Sequence, residues 1–404
     1  MKSYRTNFTA LLIAETLAMI GFGISTPVIP LFLQEEIGIT DPVKLNTWTG
    51  IINSCASITI AVFAPIWGHL ADIYSRRAML LRAMFSGAIV ISFMTLVNSP
   101  WQLLVLKAIQ GSLTGTIAAA TVITASITPA AQVAFALGLL QTMIAVGNSL
   151  GPLVGGVVSD FLGHRAAFFS TGLTLALAGV IVLIGLDNDT RPPSENKTKK
   201  ISLFPDIRPI TASPLLRNIM LVTFMVNAAN TVATPMLPLF LKSLVKNISA
   251  QPAYIGSTSG IVLGVGAAFT ALAAVLVGKY ANRFGYWPTL VFCLSAGAAA
   301  SLPQIFVGNV YQLTVFRAIS SFFIGGTLPV INAIIAVSSD KKHQGAIFGV
   351  NASVTAAGNA LGPLVGSAAA ILSYRAMFLA SALFLGLSAL GTRKRTVSKS
   401  ANAK

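Results

Sequence analysis

The chain has 404 residues, 54% of them hydrophobic and only 9% charged, where soluble proteins carry about 25% charge. That balance excludes an ordinary soluble domain and suits a chain solvated by lipid. The net charge of +16 comes from basic residues scattered through short polar stretches, which argues against a nucleic-acid surface.

Apolar runs lie at about 8–33, 48–70, 79–97, 101–126, 132–158, 166–186, 215–241, 252–281, 286–308, 311–337, 343–370 and 373–391. At about 20 residues per crossing they predict an all-α membrane protein of twelve spans. Lys2 and Arg5 precede the first run, but Phe8 to Leu33 is too long for a signal-peptide core and lacks a small-residue cleavage pattern. It is expected to remain as the first span. Between the sixth and seventh runs lies DNDTRPPSENKTKKISLFPDIRPITASP, the one long polar interval. Its charges and prolines mark a linker. The predicted domains are therefore a six-helix half at 1–187, a linker at 188–213, a second six-helix half at 214–392 and a tail at 393–404. Ile201 to Ile210 could form a short interfacial helix, which Pro205 disfavours.

Charge sets the orientation. With both termini inside, 20 of the 27 Lys and Arg residues fall on the cytoplasmic side, and the outer side holds Lys44, Arg165, Lys242, Lys246 and Arg375. Only Lys107 and Arg317 remain within spans. This asymmetry satisfies the positive-inside rule and predicts a multi-pass inner-membrane protein with cytoplasmic N and C termini.

The halves repeat one another. Pro27 and Pro30 return as Pro235 and Pro238, Trp101 to Leu103 as Tyr311 to Leu313, and Lys107 as Arg317. GNSLGPLVG from Gly147 returns as GNALGPLVG at Gly358 to Gly366, and HRAAF as YRAMF. An even number of spans per half makes these parallel repeats, with a substrate cavity expected where the halves meet. Gly147, Gly151 and Gly155 lie four residues apart and form one smooth helical face, with Pro152 and Gly156 beside it. Such a face is costly in water and useful in lipid, where small residues let helices approach closely. It is expected to pack on a helix of the opposite half, with Pro152 bending span five.

These motifs carry a family resemblance. GHLADIYSRRAMLL, Gly68 to Leu81, resembles the signature loop of the major facilitator superfamily, with Asp72, Arg76 and Arg77 in place and Ser75 where glycine is usual. The later copy, GKYANRFG, has Asn282 in place of the acid. The fourth span is similar to the family's Arg-containing motif, with Lys107 in the arginine position ahead of Gln110 and Gly111. Gly147, Gly151, Pro152, Gly155 and Gly156 resemble its antiporter motif. Taken together, the chain resembles the bacterial twelve-helix drug:proton antiporters. The resemblance implies a major facilitator fold, a gating role for Gly68, Asp72, Arg76 and Arg77, and proton coupling through a first-span acid and Lys107.

Of the eleven acids, only Glu15 falls well inside a span. An ionisable group there is costly and points to function. An acid that is shielded in one state and meets water in another can take up and release a proton. The alternative is a single interhelical hydrogen bond or snorkelling. For Lys107 and Arg317 a structural tie within each half stands beside a functional role. Lys107, Gln110 and Thr114 share a helical face.

Met19 and Phe22 follow Glu15 on its face, and Asn227, Asn230, Thr231 and Thr234 form a polar stripe on span seven. With Asn53, Gln110, Gln141, Arg317, Asn332 and Asn351 they are the candidates for contact with substrate. Asn and Thr in spans also serve as interhelical glue. An apolar, aromatic cavity with few polar groups suits amphipathic compounds. The reading is a monomeric antiporter that exports amphipathic drugs or metabolites for protons, without cofactor or metal. An importer on the same scaffold and a non-transporting receptor are the alternatives. No phosphate-binding loop, nucleophile cluster or metal-ligand spacing points to an enzyme.

Overall fold

Backbone groups in lipid have no water to bond, so a spanning chain must close its hydrogen bonds internally. The computed structural model of the chain does so with helices, and it describes residues 4–73, 75–129, 132–187, 210, 213–246, 254–339 and 344–401. In chain order these form α1 (Tyr4–Ile24), α2 (Val28–Glu35), α3 (Pro42–Ile73), α4 (Arg76–Phe93), α5 (Pro100–Leu113), α6 (Thr116–Ile127), α7 (Val133–Leu162) and α8 (His164–Gly185). There follow α9 (Pro214–Val232), α10 (Leu237–Lys246), α11 (Ile255–Phe284), α12 (Tyr286–Ser301), α13 (Val310–Ser338), α14 (Gln344–Leu372) and α15 (Ala376–Ala401). Among the described residues there is no strand.

Nine of the described helical stretches are long and apolar enough to cross a membrane. The other predicted spans lie in α3, in the pair α5 and α6, and in α15, whose apolar part is Ala376–Thr392. The expected linker lies outside the described residues apart from Ile210 and Ser213, and so does the interfacial helix apart from Ile210.

Helix entries are written locally. Ser99 and Ser213 each precede a proline at the first helical position and accept a hydrogen bond from the backbone N–H of Gln102 and Leu216. Asn309 does the same for Gln312 at 2.9 Å. These are N-caps for donors that a helix cannot itself satisfy. Gly163 alone joins α7 to α8 with φ of 90°, a left-handed conformation that side chains resist.

The chain forms two compact units, interleaved in sequence. Unit one comprises Met1–Gly38, Cys55–Leu203 and Tyr254–Gly264; unit two comprises Ile39–Ser54, Phe204–Ala253 and Val265–Lys404. Thus α3 and α11 each contribute to both.

In unit one, α1 lies against α7 and α8, and α4 against α8. Phe32 meets Phe168 edge-on at 5.1 Å, and both rings are fully buried. In unit two, α9 lies against α14 and α15, and α12 against α13 and α15. Its core gathers Leu216, Ile219, Leu290, Leu294, Ile331 and Leu385. There Phe240 meets Phe378 edge-on at 5.4 Å. Phe240 and Phe378 are the repeat counterparts of Phe32 and Phe168, so the duplication preserves a contact as well as a pattern. Lipid tails are as apolar as these side chains, so such packing stabilises through shape and dispersion.

Candidate functional site

The glycine face of α7 divides between two partners within unit one. A Cβ on Gly147 would stand 2.6 Å from Met19 Cβ and 2.7 Å from the Thr16 carbonyl oxygen, and one on Gly151 would stand 2.7 Å from Gly23 Cα. Gly155 meets the backbone of Ile24. These three glycines therefore seat α1, a helix of their own repeat. Gly156 and the Pro152 carbonyl face a different helix, meeting Gly256 and Gly260 of α11, while the Pro152 ring stays against Gly23 of α1. Gly256, Gly260 and Gly264 carry the same four-residue spacing as the α7 stripe, a sequence signal that pairs the two faces. The Asp160 carboxylate completes this contact, accepting from Gly256 N at 2.9 Å and Ser257 N at 2.6 Å. It satisfies donors left open at the start of α11.

Unit two repeats the α1 contact with different side chains. Gly358 and Gly362 of α14 seat α9 against Asn227 and Thr231, which occupy the repeat positions of Met19 and Gly23. Asn227 donates to the Thr223 carbonyl at 2.8 Å and Thr231 to the Asn227 carbonyl at 2.9 Å. Met19 and Asn227 are thus buried in helix seams. Asn230 and Phe22 are half-buried. Asn351 accepts from Thr223 at 3.1 Å and donates to Asn332 at 3.5 Å, forming a short polar chain. Asn53 donates to the Thr49 carbonyl at 2.8 Å, while Gln141 is exposed.

Glu15 has no exposed surface. Its Oε1 accepts a hydrogen bond from the Thr116 hydroxyl at 2.9 Å, and among the described residues its Oε2 has no partner. Lys107 and Gln110 are also buried in unit one, and the Gln110 Oε1 is likewise without a partner. No ion pair within 4.0 Å joins Glu15 to Lys107 among the described residues. Thr114 is buried but lies past the end of α5 in extended backbone, so it leaves the helical face expected for it.

In unit two the Arg317 guanidinium is buried and donates to the Thr234 hydroxyl at 3.2 Å. Each unit therefore holds one buried cation at the same repeat position. Arg77 donates to the Leu183 carbonyl at 2.6 Å, tying the start of α4 to the end of α8. Arg76 is half-buried beside it. Gly68 and Asp72 lie on α3, and their side chains fall outside the described residues. Arg82 stacks on the Trp67 ring at 3.3 Å, and Trp67 Nε1 donates to the Ser112 carbonyl at 2.5 Å.

At the α7–α8 turn, His164 bridges Ser159 at 2.5 Å and Glu35 at 2.9 Å, and Arg165 pairs with Glu36 at 3.0 Å. Cys55 and Cys293 are free thiols. Among the described residues no three His, Cys, Asp or Glu side chains gather as metal ligands would. Thr116, Asp160 and the α11 glycines do not stand out in the sequence as site residues. Their spacing was visible, but their partners are distant in the chain.

Apolar helices in two repeat-related sets, each with a buried cation and one with a buried acid, define a polytopic membrane carrier. A profile of the Major Facilitator Superfamily matches residues 11–310 and 257–404. The chain belongs to that superfamily and is a transporter. It is 30% identical over 391 residues to the multidrug resistance protein MdtG of Enterobacter lignolyticus, covering 96% of this chain and 92% of that one. With MdtG of Escherichia fergusonii it shares 31% over 362 residues, or 89% and 87% of the two chains. The fold is similar to that of the nucleoside transporter NupG, with a TM-score of 0.80 at 14% identity over 96% of this chain and 99% of that one. It is equally similar to a bacterial homologue of the human lysosomal transporter Spinster, at 0.80 and 16% over 98% and 97%.

Proposed function

We propose that this transporter exports amphipathic drugs or metabolites across the bacterial inner membrane in exchange for protons, by alternating access. The observation that carries the reading is Glu15. A fully buried carboxyl in an apolar span, with one oxygen bonded and the other without a partner among the described residues, is suited to hold a proton and release it when water reaches it. Membership of a transporter superfamily and similarity to proteins named for multidrug resistance support the direction and the class of cargo.

In this reading Glu15 carries the proton and Lys107 responds to its charge. Gly68, Asp72, Arg76 and Arg77 gate. Gly147, Gly151, Pro152, Gly155 and Gly156 form the surface on which helices shift. Met19, Phe22, Asn53, Gln110, Gln141, Asn227, Asn230, Thr231, Arg317, Asn332 and Asn351 are the groups from which substrate contacts are drawn. In this reading both termini lie in the cytoplasm, which the positive-inside pattern supports, and the chain works as a monomer. Inward proton movement supplies about 2.3 kcal/mol per 100 mV plus the pH term, enough to drive uphill export.

The test is reconstitution in proteoliposomes with ethidium as the amphipathic probe and an imposed pH gradient. Ethidium movement against its gradient, abolished by a protonophore, is the expected result. Movement that ignores the protonophore contradicts proton coupling.

A further inference from the structure

The fourth span is broken and its repeat partner is not. α5 ends at Leu113, Thr114 is extended, and Gly115 takes φ of 147° before α6 begins at Thr116. In unit two the corresponding stretch of α13 runs unbroken from Val310 to Ser338, with Gly325 and Gly326 at the positions of Gly115 and Thr116. Those two glycines serve close packing, against Thr270 and against Val277 and Cys293. Among the described residues no atom lies within 4 Å of where a Cβ on Gly115 would stand. The residue is glycine for its backbone conformation, not for space.

The break changes what Thr116 can do. Threonine hydroxyls inside helices usually donate to the carbonyl four residues back, as Thr16 does to Leu12, Thr121 to Ile117 and Thr171 to Ala167. For Thr116 that carbonyl belongs to Ser112, which the extended Thr114 and the positive-φ Gly115 set off from α6 and which accepts from Trp67 Nε1. The Thr116 hydroxyl is left for Glu15. Trp67 is in turn held by the Arg82 guanidinium stacked on its ring.

We propose that Thr116 is a positioning residue for the proton site: the break in span four, kept open by the Trp67–Ser112 hydrogen bond, frees its hydroxyl to hold Glu15 Oε1. This rests on the reading of Glu15 as the proton carrier. The proton then forms its bond to Oε2, the oxygen without a partner among the described residues, and leaves from it to water, while the Thr116 hydroxyl stays on Oε1 and bonds the charged carboxylate more strongly than the neutral acid. Glu15 also sits at the N-terminus of α6, where a helix favours negative charge. Among the helices packed on α1, α6 has no ionisable side chain; α7 has Asp160 and α8 has His164 and Arg165, all near the turn beyond Gly155, which itself meets the last residue of α1. Lys107 on α5 forms no ion pair with the acid.

The experiment is a pH titration of the full chain in lipid nanodiscs, read by infrared difference spectroscopy at the carboxyl C=O stretch. The Glu15→Gln spectrum is subtracted to assign the band. Thr116→Val, which keeps the shape and removes the donor, is expected to move the titration midpoint by about one pH unit or more. Thr116→Ser should restore the wild-type midpoint. Trp67→Phe, which keeps the ring over Arg82 but frees the Ser112 carbonyl, should move the midpoint as Thr116→Val does. A wild-type midpoint in Thr116→Val overturns the positioning role and leaves the proton-carrier reading standing. A spectrum in which Glu15→Gln removes no titrating band overturns both, and identifies the carrier reading as the one at fault.

Discussion

Gly23 and Gly151 face each other across α1 and α7 so closely that a Cβ on either would lie within 2.8 Å of the other's Cα. Neither side can yield by turning a side chain, because the obstacles are backbone atoms. Gly151→Ala or Gly23→Ala should therefore separate the two helices and cost about 1–3 kcal/mol of stability, as overpacking does. Thermal unfolding in detergent checks this. The double variant should cost less than the sum, because the first substitution has already opened the seam.

The Asp160 carboxylate spans two backbone donors at the start of α11. Asp160→Ala leaves both open and removes a negative charge from a helix N-terminus, a loss of about 1 kcal/mol. Hydrogen exchange should rise in a peptide covering Gly256 and Ser257 and stay unchanged in α12. Asp160→Asn, which keeps one acceptor, should fall between.

Arg317 is buried with a threonine hydroxyl, not a carboxylate, as its hydrogen-bond partner. A buried charge held this way contributes little to folding, and apolar replacements of similar size are often neutral or stabilising. Arg317→Met should thus keep or raise the unfolding temperature while reducing ethidium transport at least about tenfold, a loss of about 1.4 kcal/mol in the transport step. A fall in stability with transport retained would assign the residue to the scaffold.

Much of the fold is legible in the sequence because lipid allows few solutions. Repeated PLF, GPLVG and RAAF/RAMF segments announce two related halves, and the structure turns them into the matching contacts Phe32–Phe168 and Phe240–Phe378. The site is less legible. Glu15 stands out as an acid among apolar residues, yet nothing near it in the chain names Thr116, which lies 101 residues away. Gly115 reads as one more small residue in a span, and only its backbone conformation shows that the helix stops there. The α7 glycines reveal a smooth face without saying which helix fills it; the partner choice depends on the shape of α1 and α11, which periodicity does not encode.

Proton flux through Glu15→Gln decides whether this carboxyl carries the proton. Liposomes holding a pH-sensitive dye and either the wild-type chain or the variant receive ethidium under an imposed gradient, and proton movement and ethidium movement are followed together. Coupled movement of both is expected in the wild type. In the variant a loss of at least about tenfold in coupled flux is expected, with ethidium-for-ethidium exchange retained as evidence of a folded carrier. Undiminished proton-coupled flux in Glu15→Gln would contradict that role.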